Sequence, residues 1–168
     1  MSRKVHLNAD VFKIGLQRTR EIYRTNGRVI VAFSGGKDSG VILELARIAS
    51  KIERDQPVEV FVLDDEIMYP GTFEYQERIA QQPDIKMHWK YACEPMPAVW
   101  NRENPYWWVF DWELDPDEWV RKPPSFAERI DEIDLYRIVN PRTFPPPKGQ
   151  PLYIIIGNRT SESRTRLL

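Results

Sequence analysis

Cysteine is nearly absent: the 168 residues contain one, Cys93, so no internal disulfide can form. The amino-terminal stretch Met1-Ser2-Arg3-Lys4-Val5-His6-Leu7 has no apolar core long enough for a secretory signal. Both absences point to a cytoplasmic protein. Histidine is also scarce. His6 and His88 stand far apart without a Cys or His partner at zinc spacing, and neither is assigned a catalytic or metal role. Charge of one sign is not in excess: 24 Lys plus Arg face 25 Asp plus Glu, a net charge of −1. That balance removes the general field that draws a protein to nucleic acid or an anionic membrane, so any anion site must be local. Long apolar runs are missing too. Residues 29–33 and 152–156 are strand-sized stretches, far below the roughly 20 residues that cross a bilayer. No repeat of solenoid period is visible. The expectation is one globular domain spanning residues 1–168.

The order of periodic segments gives an α/β pattern. Asn8 or Asp10 can cap a first helix bearing Val11, Phe12, Leu16, Ile22 and Tyr23, with Asn26-Gly27 supplying a left-handed stop. The β-branched run 28–33 reads as a strand covered on both faces, and Val41, Leu45, Ile48 and Ile52 fall at helical spacing over residues 38–54. A second unit follows, with a strand over 58–63, a loop over 64–71, a helix over 72–81 and a strand over 85–91. Strands joined by helical crossovers imply a doubly wound, mostly parallel sheet. Ser125-Phe126-Ala127-Glu128 has capping-box spacing, which predicts a helix continuing through Ile130, Ile133, Tyr136 and Ile138. A proline-rich loop then leads to a last strand over 152–156.

Between residues 94 and 124 the organisation changes. Trp100, Trp107, Trp108, Trp112 and Trp119 sit there among prolines and acidic residues. A flexible linker would be polar, so this is an insertion whose rings must pack onto the body or onto a partner.

The chemistry is concentrated after the first strand. In Ser34-Gly35-Gly36-Lys37-Asp38-Ser39, glycines let backbone amides approach phosphate oxygens, and the following helix adds its dipole. A Walker loop needs four residues between its first glycine and the Gly-Lys pair, and this loop is shorter. It resembles the PP-loop of ATP pyrophosphatases, which hold pyrophosphate while the bond between α- and β-phosphates breaks. Val62-Leu63-Asp64 with Tyr69-Pro70-Gly71-Thr72 is similar to the strand-end aspartate and Phe-Pro-Glu-Thr loop of the phosphoadenosine-phosphosulfate (PAPS) reductase branch, with Gly71 in place of Glu. Gly157-x-Arg159-x-x-Glu162-Ser163-x-x-Arg166 matches that branch's closing pattern. All three elements follow strands, so they can share one cleft at the carboxyl edge of an adenine nucleotide alpha hydrolase-like sheet.

The resemblance implies roles. Lys37 would neutralise phosphate charge and, with Asp38, form the catalytic pair; Ser34, Gly35, Gly36 and Ser39 would complete the cradle. Asp64 would contact the nucleotide or its metal. Beyond Gly157, Arg159 and Arg166 would hold a terminal sulfate or phosphate through their planar forks, while Glu162 orients an arginine or accepts from the ribose. The implied ligand is ATP or a sulfonucleotide (PAPS or APS). Mg2+ is expected with ATP, because its phosphates need neutralising. The nucleophilic cysteine in a Glu-Cys-Gly-Leu-His segment and the cluster-binding cysteine pairs of PAPS reductases have no counterpart here, so thiol-based reduction is not expected.

The stretch Pro105-Tyr106-Trp107-Trp108-Val109-Phe110-Asp111, with Trp119-Val120-Arg121-Lys122-Pro123-Pro124, resembles PAPS reductase-like regulators related to the immunoglobulin-binding regulator IbrA. Those regulators pair with a ParB-like protein. Relatives are longer, which implies a truncated carboxyl terminus or a further subunit, the same chain or another, covering one sheet face. Three functions stay open: an adenylyl- or sulfur-transferring enzyme, a non-catalytic nucleotide sensor with a partner, and sulfur modification of nucleic acid. The last needs a basic surface that the net charge does not supply.

Overall fold

The structure, a computed structural model, describes residues 9–130 and 139–157. Its first element is α1 (Val11–Arg24), capped by Asp10, whose carboxylate accepts from the amides of Phe12 at 2.8 Å and Lys13 at 3.2 Å. The helix stops differently from the expected left-handed glycine cap. Thr25 is extended (φ −73°), and its hydroxyl donates to the Ile22 carbonyl at 2.8 Å. Gly27 is required for another reason: a Cβ there would stand 2.6 Å from the Pro151 carbonyl oxygen and 2.7 Å from the Tyr153 ring.

The chain continues through β1 (Arg28–Ala32), α2 (Lys37–Glu53), β2 (Val58–Asp64), α3 (Pro70–Ala80) and β3 (Ile85–Tyr91). A hairpin of β4 (Glu94–Pro97) and β5 (Tyr106–Val109) follows, then the short β6 (Glu128–Arg129) and finally β7 (Leu152–Ile156). The main sheet runs β6-β3-β2-β1-β7, and every described pairing in it is parallel. This is the α/β, mostly parallel architecture expected of an adenine nucleotide alpha hydrolase-like fold. The chain leaves β1 toward β2 on one side, and β7 returns on the other, so the topological switch lies between β1 and β7.

Alternation along the central strands builds two clusters. Val29, Val31 and Phe33 of the β1 segment, with Val58, Val60 and Val62 of β2, pack against Tyr23 of α1, Leu43, Ala46 and Ala49 of α2, and Ile79 of α3. Ile30 and Phe61 point to the opposite face, where Phe144 covers them. Its ring meets Phe61 edge-on at 6.1 Å between centroids. Each fully buried Val or Ile contributes about 1.5–3 kcal/mol, which makes these strands the fixed frame of the site.

The helix expected from Ser125 is not formed over the described residues. Glu128 and Arg129 instead pair with Lys90 and Tyr91 as a parallel edge strand, and the Ile130 amide donates to the Tyr91 carbonyl at 3.0 Å. Pro123-Pro124 favours extended entry. The Phe126 ring also packs edge-on against Trp89, 5.8 Å between centroids, drawing the segment to the sheet. Ile133, Tyr136 and Ile138 lie outside the described residues.

The aromatic stretch divides. Val109 and Phe110 are completely buried, and Phe110 contacts Tyr91 and Trp119 edge-on, each at 5.2 Å. Trp100, Tyr106, Trp107 and Trp108 are exposed.

Candidate functional site

The loop of residues 34–39 joins β1 to α2 at the switch point. Gly35 has φ +75°, and a Cβ there would stand 2.7 Å from the Thr72 methyl and 3.2 Å from Gln76 Cγ, so α3 presses directly on the loop. Gly36 is the N-cap of α2 with φ −77°, and being glycine it offers the first-turn amides no capping side chain. The hydroxyls brace the turn instead: Ser39 donates to the Gly36 carbonyl at 2.9 Å and lies 3.1 Å from the Ser34 hydroxyl. The helix thus presents amides and the positive end of its dipole to the cleft.

Gly157, immediately after β7, closes the other wall. A Cβ on it would be 2.7 Å from the Asp38 carbonyl carbon and 2.7 Å from the Ser39 amide nitrogen, a contact only glycine permits. Between them lies a cleft of about 290 Å³, lined by Ser34, Ser39 and Gly157 beside the apolar Phe61, Leu63 and Ile156. Ser34, Ser39 and Gly157 therefore converge as a group. Lys37 is exposed and lines, with Gly35 and Gly36, a second hollow of about 360 Å³ on the Val41 and Tyr75 side of the same loop. Asp38 is half-buried in the first turn of α2. Arg159, Glu162 and Arg166 lie outside the described residues.

Asp64, at the end of β2, is completely buried and heavily engaged. One carboxylate oxygen accepts from the Glu66 amide at 2.9 Å and from Arg121, and the other from Trp89 Nε1 at 2.8 Å and Arg121 Nη1 at 3.1 Å. Its four lone-pair directions are all used, so a ligand or metal could reach it only by displacing Arg121. Arg121 also lies 3.8 Å above the centroid of the Phe73 ring. Next in sequence, Asp65 has its carboxyl pushed above the usual aspartate range by burial and by the neighbouring Asp64 charge, and one of its oxygens is buried without a partner.

Glu66 ties the aromatic segment down. It is buried with φ +60°, and its carboxylate accepts from the Phe110 amide at 2.5 Å and the Val120 amide at 2.6 Å. Glu66, Gln76 and Trp89 were not singled out as site residues from sequence. For Gln76, a signal existed: it falls one turn after Thr72 on α3, a polar residue where the helix faces the core, and it is 1% exposed. For the Arg121 and Glu66 contacts no local signal exists, because the partners are 57 and up to 54 positions apart.

A larger opening, about 730 Å³, lies elsewhere, among the ends of α1 and α2 and residues 145–147. Its arginines are spent on structure. Arg54 donates to the carbonyls of Tyr23, Thr25 and Gly27, and Arg28 pairs with Glu59 at 2.6 Å. The cleft at the switch point, beside the glycine-capped start of α2, is the better candidate despite its smaller volume.

Among the described residues, no group of three His, Cys, Asp or Glu side chains is placed to hold a metal ion, and no helix is long and apolar enough to cross a membrane. Over 178 aligned residues the chain is 27% identical to the uncharacterized protein YbdN of Escherichia coli (strain K12), covering 98% of this chain and 42% of that protein. The chain thus spans under half the length of that relative. Residues 28–167 match the phosphoadenosine phosphosulfate reductase domain, a span that holds the glycine loop, the buried aspartate and Gly157. The chain belongs to the phosphoadenosine phosphosulfate reductase domain family.

Proposed function

We propose that the chain binds ATP or a sulfonucleotide (APS or PAPS), with phosphates on loop 34–39 and the adenosine part on Phe61, Leu63 and Ile156. The observation that carries this reading is the cleft itself, where the glycine-capped start of α2, with Ser34 and Ser39, meets an apolar floor at the switch between β1 and β7. The exposed Ser34 adds a hydroxyl donor, and Lys37, exposed beside the loop, supplies a positive charge. The Arg159 and Arg166 guanidiniums would take a terminal sulfate or phosphate. A Mg2+ ion accompanying ATP would rest mainly on the nucleotide's own phosphates and waters.

In the catalytic form of this proposal, an acceptor nucleophile attacks the α-phosphorus and pyrophosphate leaves with the bonding electron pair. Lys37 offsets the charge that develops on the leaving group, with Asp38 beside it. The test is pyrophosphate release from ATP with Mg2+, with and without candidate acceptors, against a Lys37→Ala control. Release that depends on Lys37 supports transfer chemistry.

A second reading is a non-catalytic nucleotide sensor acting with a partner protein. It is favoured by the saturation of Asp64 by Arg121, which couples the aromatic segment to the strand end beside the cleft. Tight nucleotide binding without pyrophosphate release, and with changed exposure of the tryptophans, would select it.

A further inference from the structure

We propose that the outer edge of β5 is a homodimer interface, with the Tyr106–Val109 strands of two copies paired antiparallel about a two-fold axis at Trp107. The phase of the hairpin sets up the argument. Ala98 donates to the Pro105 carbonyl at 2.8 Å, so the alternate pairs Met96 with Trp107 and Glu94 with Val109 face inward. Pro95 and Pro97 oppose Trp108 and Tyr106, and their ring nitrogens point away from the hairpin. The β4 edge is thereby blunted, since proline has no N–H to offer.

The β5 edge carries no such protection. The amides and carbonyls of Tyr106 and Trp108 point outward, and neither amide has a hydrogen-bond acceptor among the described residues. The next outward amide, that of Phe110, is taken by Glu66, which holds the strand rigidly against the body. No charged residue interrupts positions 105–110. Tyr106 is 54% exposed, Trp107 42% and Trp108 52%, while the hairpin loop adds Val99 at 85% and Trp100 at 79%.

A second copy satisfies all of these groups at once. With outward groups at 106 and 108, a two-fold axis at Trp107 places Tyr106 opposite Trp108 of the second copy and Trp107 opposite itself. The pairs over residues 106–108 are then aromatic on aromatic. Tyr106 and Trp108 of the two copies meet on one face of the joined sheet and the two Trp107 rings on the other, so rings that are 54%, 52% and 42% exposed in the single chain cover one another in part.

The test is sedimentation velocity on the full chain over a wide concentration range, with Trp107→Glu and Trp108→Pro as variants. Trp108→Pro removes an N–H that the hairpin does not use, so the monomer keeps its fold, checked by thermal unfolding. Wild type is expected at dimer mass and both variants at monomer mass. In a Cys93→Ser background, Trp107→Cys should cross-link to itself under mild oxidation. The Cα separation of a non-hydrogen-bonded pair is about 4.5 Å, within disulfide reach. Tyr106→Cys should not cross-link. A monomeric wild type, dimers that persist in both variants, or cross-linking at 106 in preference to 107 would each overturn the proposal.

Discussion

Gly157 and Ser39 meet backbone to backbone: a Cβ on Gly157 would lie 2.7 Å from the Ser39 amide nitrogen and 2.8 Å from the Asp38 carbonyl oxygen. Two strands that are neighbours in the sheet thus bring the start of α2 and the end of β7 into direct contact. Gly157→Ala must push these backbones apart. It should cost about 1–3 kcal/mol of stability, as overpacking does, and weaken nucleotide binding at least tenfold. Urea unfolding and titration of the same variant measure both effects.

Glu66 is expected to be the clasp of the aromatic segment. Glu66→Ala leaves the buried Phe110 amide and the part-buried Val120 amide without their acceptor, at about 1–3 kcal/mol for the buried one. Amide hydrogen exchange should rise over residues 106–120 before the β1 and β2 amides change. Uniform loss of protection across the sheet would count against the clasp.

The Asp64 and Arg121 pair should show strong coupling in a double-mutant cycle. Arg121→Met strands a buried carboxylate and should destabilise by about 3–5 kcal/mol. Adding Asp64→Asn removes that charge and should recover most of the loss, as read by urea unfolding.

Glu59 gives a pH signature. Burial alone would raise its carboxyl, but hydrogen bonds from His88 and Arg28 outweigh that and hold it down at about 2. Because the folded value lies below the unfolded one of about 4.3, the stabilisation is complete above the unfolded value. It is lost as pH falls toward 2. Glu59→Gln should therefore be less stable than wild type at neutral pH, by on the order of 2–3 kcal/mol, and the gap should close toward pH 2.

Much of the frame was legible because its signals are local. The β-branched run before Gly35-Gly36 announces a buried strand, and the period of Val41, Leu45, Ile48 and Ile52 announces α2. Gly157 stood out by pattern, although its physical reason is a close approach visible only in three dimensions. The Ser125 capping box misled, since a local cap competed with Phe126 packing on Trp89 and with a free edge of β3, and tertiary contact won. Gly27 misled similarly, being required for proximity to Pro151 and not for a left-handed turn. The engagement of Asp64 by Arg121 has no local trace, because it joins a strand end to a segment folded back from residue 121.

Calorimetric titration of wild type and of Gly36→Val/Lys37→Ala with ATP, APS and PAPS tests the central claim most directly. The double substitution is a clean probe. A Cβ at 36 meets nothing closer than the Ser34 hydroxyl at 3.5 Å, and the φ of −77° suits any L residue. Lys37 is exposed, so the fold should survive, as a matching thermal unfolding curve would confirm. The account predicts that wild type binds at least one of these nucleotides and that the folded double variant binds none measurably. Equal affinity of the two proteins for every ligand, or no binding by wild type, would contradict a phosphate cradle at loop 34–39.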